Sequence, residues 1–137
     1  MGGRWRRVRG GGTAALLALS LALAGCAGTT PGPRPDDFPL HTSSPPVEIH
    51  WQVGLDPRLV RADGLVERRQ HLLGSAWIQL LGFDVTGAIV SFTAPIRVRW
   101  ASNSDLERFS IQLRPRGTEQ RFDMRVYSFE YPEESTP

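Results

Sequence analysis

The sequence predicts an all-β domain, a single antiparallel β-sandwich of about seven strands, which follows an N-terminal part of different character. Apolar and polar residues alternate with a period of two from Val47 onward. The alternating segments are short, and turn residues separate them at intervals of roughly 8–12 residues. They fill residues 47–131, a length typical of a two-sheet sandwich. We expect residues 132–137 to be a disordered tail.

The first 26 residues have the three parts of an export signal. Residues 4–9 (RWRRVR) are basic, and residues 13–24 (TAALLALSLALA) form an apolar run of about a dozen residues. A membrane-spanning helix needs ~20 apolar residues, so this run is of the length found in cleaved signals. The chain's one cysteine, Cys26, ends the segment. A core cysteine in an amphipathic helix is the alternative, but the run lacks the polar face of such a helix.

Residues 23–26 (LAGC) resemble the lipobox of bacterial lipoproteins. The resemblance implies cleavage between Gly25 and Cys26, a signal peptide of residues 1–25, and a Cys26 thiol that carries diacylglycerol, with further acylation by fatty acids such as palmitate. One acyl chain binds a bilayer only marginally, whereas two or three anchor a protein durably. Because Ala27 and not aspartate follows the cysteine, the resemblance implies the outer membrane. We expect a lipid anchor on the periplasmic face of a bacterial envelope.

Residues 26–46 are predicted to be an extended tether behind the anchor. They hold six of the eleven prolines, and their few apolar residues show no period. Such a segment buries too little surface to fold, and its reach is roughly 60 Å. We interpret His41 as a solvated linker residue. Phe38 and Leu40 are the two side chains here that could dock on the domain or on a partner.

The predicted strands follow in order. Residues 47–53 (VEIHWQV) alternate cleanly, and a turn at 54–58 follows. Residues 60–73 allow a short helix capped by Asp63 and ended by Gly74, or a strand with Gly64 at a bulge, and we favour the strand. Residues 75–84 form a central strand, which the turn DVTG (84–87) joins to a return strand at 88–92.

Three more strands complete the sandwich, at 96–100 (IRVRW), 107–113 (ERFSIQL) and 121–131 (RFDMRVYSFEY). Tyr127, Phe129 and Tyr131 fall on the phase opposite to the start of the last strand, so we predict a bulge or a change of facing there. The predicted core is Ile49, Trp51, Trp77, Ile78, Leu80, Phe83, Ile89, Val98, Phe109, Ile111, Leu113, Phe122, Met124 and Val126.

The order of these elements resembles the FxLYD-type and related immunoglobulin-like sandwiches of bacterial envelope lipoproteins. The matching features are Gly64, Asp84, Gly87, the turn at 115–117 and the strand at 122–126. The resemblance implies a fold and a role in the envelope, and no reaction.

Charge and motifs exclude several classes of function. From Cys26 onward the chain has twelve arginines against fourteen acidic residues, a net charge of −2. Nucleic-acid binding is therefore not expected. His41, His50 and His71 lack companions at ligand spacing, so we expect neither a metal nor another cofactor. Nucleophile and phosphate-loop motifs are missing, and we predict that the protein is not an enzyme.

Two groups of side chains remain as a candidate interaction surface. One is the outward arginines Arg97, Arg99, Arg121 and Arg125, and the other is Tyr127, Phe129 and Tyr131. The first hypothesis is a structural or interaction protein that docks an envelope partner, for example by strand addition to an edge. The second is a module that binds glycan or peptidoglycan through exposed aromatic rings. A small hydrolase is the least favoured.

Overall fold

The computed structural model describes residues 31–133, which form two antiparallel sheets packed face to face. This confirms the predicted sandwich. The signal peptide, the cleavage site between Gly25 and Cys26, and Cys26 itself lie outside the described residues. The elements are a 3₁₀ turn at Pro35–Asp37 and strands β1 (Leu40–Ser44), β2 (Val47–Leu55), β3 (Val60–Arg68), β4 (Ser75–Phe83), β5 (Ile89–Phe92), β6 (Ile96–Arg99), β7 (Leu106–Leu113) and β8 (Arg121–Glu130).

The strands divide between two layers. Sheet I has the order β1-β2-β3-β7. In sheet II, β8 pairs with the whole length of β4, while β5 lies opposite residues 81–83 and β6 opposite residues 75–78. Consecutive strands β3 and β4 thus take partners, β7 and β8, from the far end of the chain, one in each layer. Such exchange between layers is typical of β-sandwiches.

The core lies between the two sheets, and most of the predicted core residues are in it. Those that are buried as predicted are Ile49, Trp51, Ile78, Leu80, Val98, Phe109, Ile111, Leu113 and Met124. Phe122 and Val126 are half-buried and pack against the same cluster. Alternation therefore assigned the inward face correctly wherever one face of a strand is polar.

Three residues that were predicted to lie in the core point away from it in the structure. Trp77 and Phe83 point out of the sandwich and are half-buried, and Ile89 is 48% exposed. The inward residues of β4 are instead Ala76, Ile78 and Leu80. For Trp77 and Phe83 the prediction failed because β4 is apolar on both faces, so its sequence shows no contrast from which the phase can be read. Ile89 on β5 is the cross-strand partner of Phe83.

The domain begins earlier than predicted, inside the supposed tether. Leu40–Ser44 forms β1, the edge strand that pairs with β2 in the register Leu40↔Trp51 to Ser44↔Val47. The indole Nε1–H of Trp51 donates to Thr42 Oγ1 over 3.1 Å, which ties the edge to a buried core residue. Phe38 and Pro33 line a hollow on the outer face of sheet I. The prediction missed β1 because five short, mostly polar residues between prolines carry no apolar period.

Residues 60–68 form a strand, as favoured, but Gly64 is not at a bulge. The register of β3 with β2 and β7 is continuous through Gly64, which lies between Trp51 and Phe109. A Cβ at this position would overlap the carbonyl oxygen of His50. The absence of a side chain at Gly64 allows β3 to lie close to the backbone of β2 at this point.

The predicted change of facing in the last strand is confirmed. The β4–β8 register shifts between Trp77 and Ile78, which pair with Ser128 and Val126, so Tyr127 is the extra residue of a bulge. After the bulge the alternation is inverted, and Phe129 packs against the core.

The turn between β7 and β8 provides a prediction on acid stability. The Glu119 carboxylate accepts from the backbone amides of Arg116 (2.6 Å) and Gly117 (2.8 Å). Burial alone would raise the pKa of Glu119, but these amides and the other hydrogen bonds lower it to about 2. Because folding lowers the pKa of Glu119, its ionised carboxylate stabilises the folded state. This stabilisation is complete above the ordinary pKa of 4.5 and is lost as the pH falls through about 2.

We therefore expect Glu119→Gln to lower the unfolding free energy at neutral pH and to have much less effect near pH 2, as measured by urea denaturation across this range. Glu107→Gln removes the same charge from a carboxylate without a hydrogen bond among residues 31–133 and is the control. Equal loss of stability at both pH values in the Glu119 variant would contradict the proposed role.

Candidate functional site

The outer face of sheet II carries an unusual share of apolar side chains. Strand β4 contributes Trp77 and Leu81 to this face because its outward phase is as apolar as its inward one. Phe92 lies opposite Leu81 on β5 and is 65% exposed. Tyr127 on β8 is 61% exposed because it is the extra residue of the bulge. Large side chains of three neighbouring strands thus lie on one surface, and those of Phe92 and Tyr127 are mostly exposed to solvent.

These side chains surround an open groove of about 580 Å³, which we call the sheet II groove. Gln79 and Leu81 form its floor, and each is only 5% exposed. The residues that line it are Gln79, Leu81, Ile89, Phe92, Thr93, Ala94, Pro95, Arg125 and Tyr127. A smaller hollow lined by Trp77, Pro95, Tyr127 and Ser128 adjoins it and extends the apolar surface.

The polar groups of the groove form a fixed chain. The Gln79 Nε2–H donates to the carbonyl oxygen of Thr93 over 2.7 Å, and Gln79 Oε1 accepts from Arg125 Nη2 over 2.5 Å. The Thr93 hydroxyl in turn accepts from the backbone amide of Leu80 at 3.1 Å. Both polar ends of the buried amide are occupied, and its Oε1 is the acceptor that orients the Arg125 guanidinium.

A second polar cluster centres on Glu130 near the end of β8. Its carboxylate accepts from Trp77 Nε1, Ser75 Oγ and Arg97 Nη2, each at 2.7 Å. The hydrogen bonds from Trp77 and Ser75, together with the charge of Arg97, hold the pKa of Glu130 below its ordinary value. This cluster fixes the Trp77 ring on the outer face. Arg97 is thereby engaged within the domain.

The predicted surface residues fall into three places and not one. Arg125 and Tyr127 meet in the sheet II groove. Arg97, Arg99 and Tyr131 surround Glu130 and a small hollow of about 140 Å³. Arg121 lies over the Phe83 ring, with its guanidinium carbon 4.1 Å from the ring centroid, and 3.8 Å from Asp123. Phe129 is half-buried and packs against the core, since the bulge turns it inward.

Seven of the nine residues that line the groove were not predicted from the sequence, namely Gln79, Leu81, Ile89, Phe92, Thr93, Ala94 and Pro95. A signal for them was present in the outward phase of β4. Trp77, Leu81 and Phe83 are large apolar residues on a face that no further layer of a two-layer domain covers. Such a face marks a candidate interaction site.

The histidines are also placed differently from the prediction. His41, which was interpreted as a solvated linker residue, lies on β1, and its Nδ1 atom is 2.8 Å from Nδ1 of His50. The Nε2 of His50 is 3.0 Å from Glu67 Oε2, while His71 is exposed and lies 3.0 Å from Asp105 Oδ1. The pairing of β1 with β2 brings His41 opposite His50, which could not be known while β1 was assigned to the tether. Among residues 31–133 no group of three or more histidine, cysteine or acidic residues has the arrangement of a metal site.

Comparisons with known proteins give no relative. The chain matches no family model, no curated protein and no solved structure. Within the described part of the chain, no helix has the length and apolar character needed to cross a membrane.

Proposed function

We propose that this chain is a lipid-anchored protein of a bacterial envelope, and that its β-sandwich binds a partner protein through the outer face of sheet II. The observation that carries the second half of the proposal is the sheet II groove. Exposed Phe92 and Tyr127 stand beside an arginine whose position is fixed. Aromatic side chains and arginine are the residue types that contribute most to binding at protein interfaces.

The groove suits a protein segment better than a sugar, the second hypothesis from the sequence. A sugar ring presents several hydroxyl groups, and each needs a hydrogen-bond partner when water is displaced. The one buried amide of the groove, Gln79, already uses both polar ends for Thr93 and Arg125. Apart from the remaining N–H donors of Arg125, few polar groups are left for the many hydroxyl groups of a glycan, whereas the apolar walls match the side chains of a peptide.

The anchor half of the proposal rests on the LAGC pattern at 23–26. Residues 33–44 belong to the folded domain, so the tether between Cys26 and the first packed residues is much shorter than predicted. We infer that the partner is to be sought at the membrane surface, where the lipid anchor holds the chain.

Substitution Cys26→Ser tests the anchor. We expect the variant to lose incorporation of an alkyne-labelled fatty acid, because no thiol remains to be acylated, and to retain residues 1–25, because the LAGC pattern is broken. Ala27→Ser, which keeps the cysteine, is the control and should behave like the wild type. A wild-type protein that retains residues 1–25, or that high salt removes from membranes, would contradict the anchor.

The double variant Phe92→Ala/Tyr127→Ala tests the face. Both side chains are exposed, so we expect the fold to be intact and capture of an envelope partner by the membrane-bound protein to fall by about tenfold or more. The matched control, Leu55→Ala/Leu72→Ala, removes two exposed apolar side chains elsewhere. Equal capture by the two double variants would exclude the groove as the binding site.

A further inference from the structure

The geometry points to the chemistry of the partner: we infer that the sheet II groove takes an acidic side chain, held by Arg125, beside a large apolar side chain of the same partner protein. This inference rests on the proposed function, because it specifies what the proposed interface recognises. It depends on three features of the groove, which are its charge, its fixed guanidinium and its apolar walls.

Arg125 is the one charged side chain among the described residues that line the groove. On β6 and β8, the strands of sheet II that carry arginine, Arg97 and Arg121 each have a carboxylate within 3.8 Å. Within residues 31–133 Arg125 has no carboxylate within ion-pair distance, and its side-chain partner is the neutral amide of Gln79. A positive charge in the groove is therefore left without a counter-charge from the domain.

The nearest acidic residue along the strand does not supply one. Asp123 precedes Arg125 by two residues on the same face of β8. Its carboxylate instead accepts from the backbone amide of Met124 at 2.9 Å and from Thr42 Oγ1 at 3.4 Å, and lies 3.8 Å from Arg121. Asp123 is thus turned toward β1 and Arg121, and away from the groove.

The guanidinium is prepared for a carboxylate before any partner arrives. Gln79 is 5% exposed, and its amide engages one Nη2–H of Arg125. A guanidinium has five N–H donors in a planar fork, so donors remain for a bidentate contact with a carboxylate. Because Gln79 fixes the side chain in advance, binding costs less rotamer entropy than it would at a free surface arginine.

The walls of the groove define the second half of the recognition. Phe92, Ile89 and Tyr127 are each at least 48% exposed around Arg125. An apolar side chain of the partner that packs against them removes water from the guanidinium and lowers the local dielectric, which strengthens the charge pair. We therefore expect an acidic residue and a large apolar residue next to each other in the bound segment.

The test uses the full processed protein in lipid nanodiscs and two fluorescein-labelled peptides that serve as probes. One peptide has a central Glu-Phe pair flanked by serine and glycine, and its twin has Gln-Phe. We expect anisotropy titration to show the acidic peptide binding about tenfold more tightly than its twin. Arg125→Gln should reduce this ratio to about one, and Arg125→Lys should retain part of it, because lysine keeps the charge but not the fork.

Arg114→Gln is the matched control, since Arg114 is exposed, follows β7 in sheet I and does not line the groove. It should leave the ratio unchanged. Equal losses in the Arg114 and Arg125 variants would show general charge attraction and overturn the inference. If neither peptide binds while Phe92→Ala/Tyr127→Ala still abolishes partner capture, acid recognition is wrong and the interface stands. If the double variant also has no effect on capture, the proposed function fails as well.

Discussion

Substitution of Arg68 by alanine is expected to lower the free energy of unfolding by about 3–4 kcal/mol, the largest effect that we predict for one side chain. Arg68 is 7% exposed at the end of β3. Its guanidinium donates to Asp105 Oδ1 (3.0 Å) and to the carbonyl oxygens of Leu73 (2.8 Å), Ala101 (3.2 Å) and Ser104 (3.1 Å). It also lies 5.8 Å from the centroid of the Trp100 ring.

The effect is large because one side chain joins two loops that have no regular structure of their own. Alanine would leave carbonyl groups of both loops without partners and open a void beside Trp100. Urea denaturation measures the loss. Arg68→Lys should be almost as unstable, because an ammonium has three donors and no planar fork. Arg61→Ala removes an exposed arginine of the same strand and should cost less than about 1 kcal/mol. Similar values for Arg61 and Arg68 would show that the buried arginine is not the link between the loops.

Substitution Gly64→Ala is expected to cost about 3 kcal/mol, the second largest effect. Gly64 lies in the middle of β3 between two hydrogen-bonded neighbours. An added Cβ would overlap the backbone oxygen of His50 and approach the Cα of Trp51 and the ring of Phe109 to 2.9 Å. Backbone atoms of a central strand cannot move aside without breaking the ladder on both sides, so the methyl group must displace strands and core together.

Gly54→Ala is the matched control for this prediction. Gly54 lies on the neighbouring strand β2, and a Cβ there would be 3.9 Å from the carbonyl oxygen of Arg61, an ordinary van der Waals distance. We expect a change within about 0.5 kcal/mol in either direction. Comparing the unfolding free energies of the two variants, by thermal or urea unfolding, separates the cost of the steric overlap at Gly64 from the general effect of replacing a glycine. A Gly64 variant as stable as the Gly54 variant would mean that β2 and β3 are further apart than described.

The sequence predicted the sandwich because its strands separate apolar from polar residues. In β2, Ile49 and Trp51 point inward while Glu48 and Gln52 point outward, and no knowledge of the neighbours was needed to see it. A bulge or a change of facing in the last strand was predicted for the same reason, since its aromatic residues change phase part-way along it, and the register places the extra residue at Tyr127. Local alternation is sufficient where one face of a strand meets water.

The site could be predicted less well, because it depends on pairing between distant strands. Phe92 and Tyr127 become neighbours of Leu81 only when β5 and β8 pair with the two sides of β4. The position of Arg125 depends on Gln79, which is 46 residues away in sequence. In the same way, β1 has a polar composition and is recognised as a strand only through its partner β2. The outward phase of β4 indicates an apolar face, but which residues β5 and β8 add to that face depends on strand pairing.

Site-specific photo-cross-linking in the living host tests the central claim most directly, namely that the outer face of sheet II binds a partner protein. Benzoyl-phenylalanine placed at positions 92 and 127, and at the exposed control positions 55 and 72, would be irradiated with the protein at its natural level. We predict one discrete adduct from positions 92 and 127, with an acidic and apolar segment of an envelope protein at the cross-linked site, and none from positions 55 and 72. The same adducts from all four positions, or no protein adduct from the groove, would contradict the account.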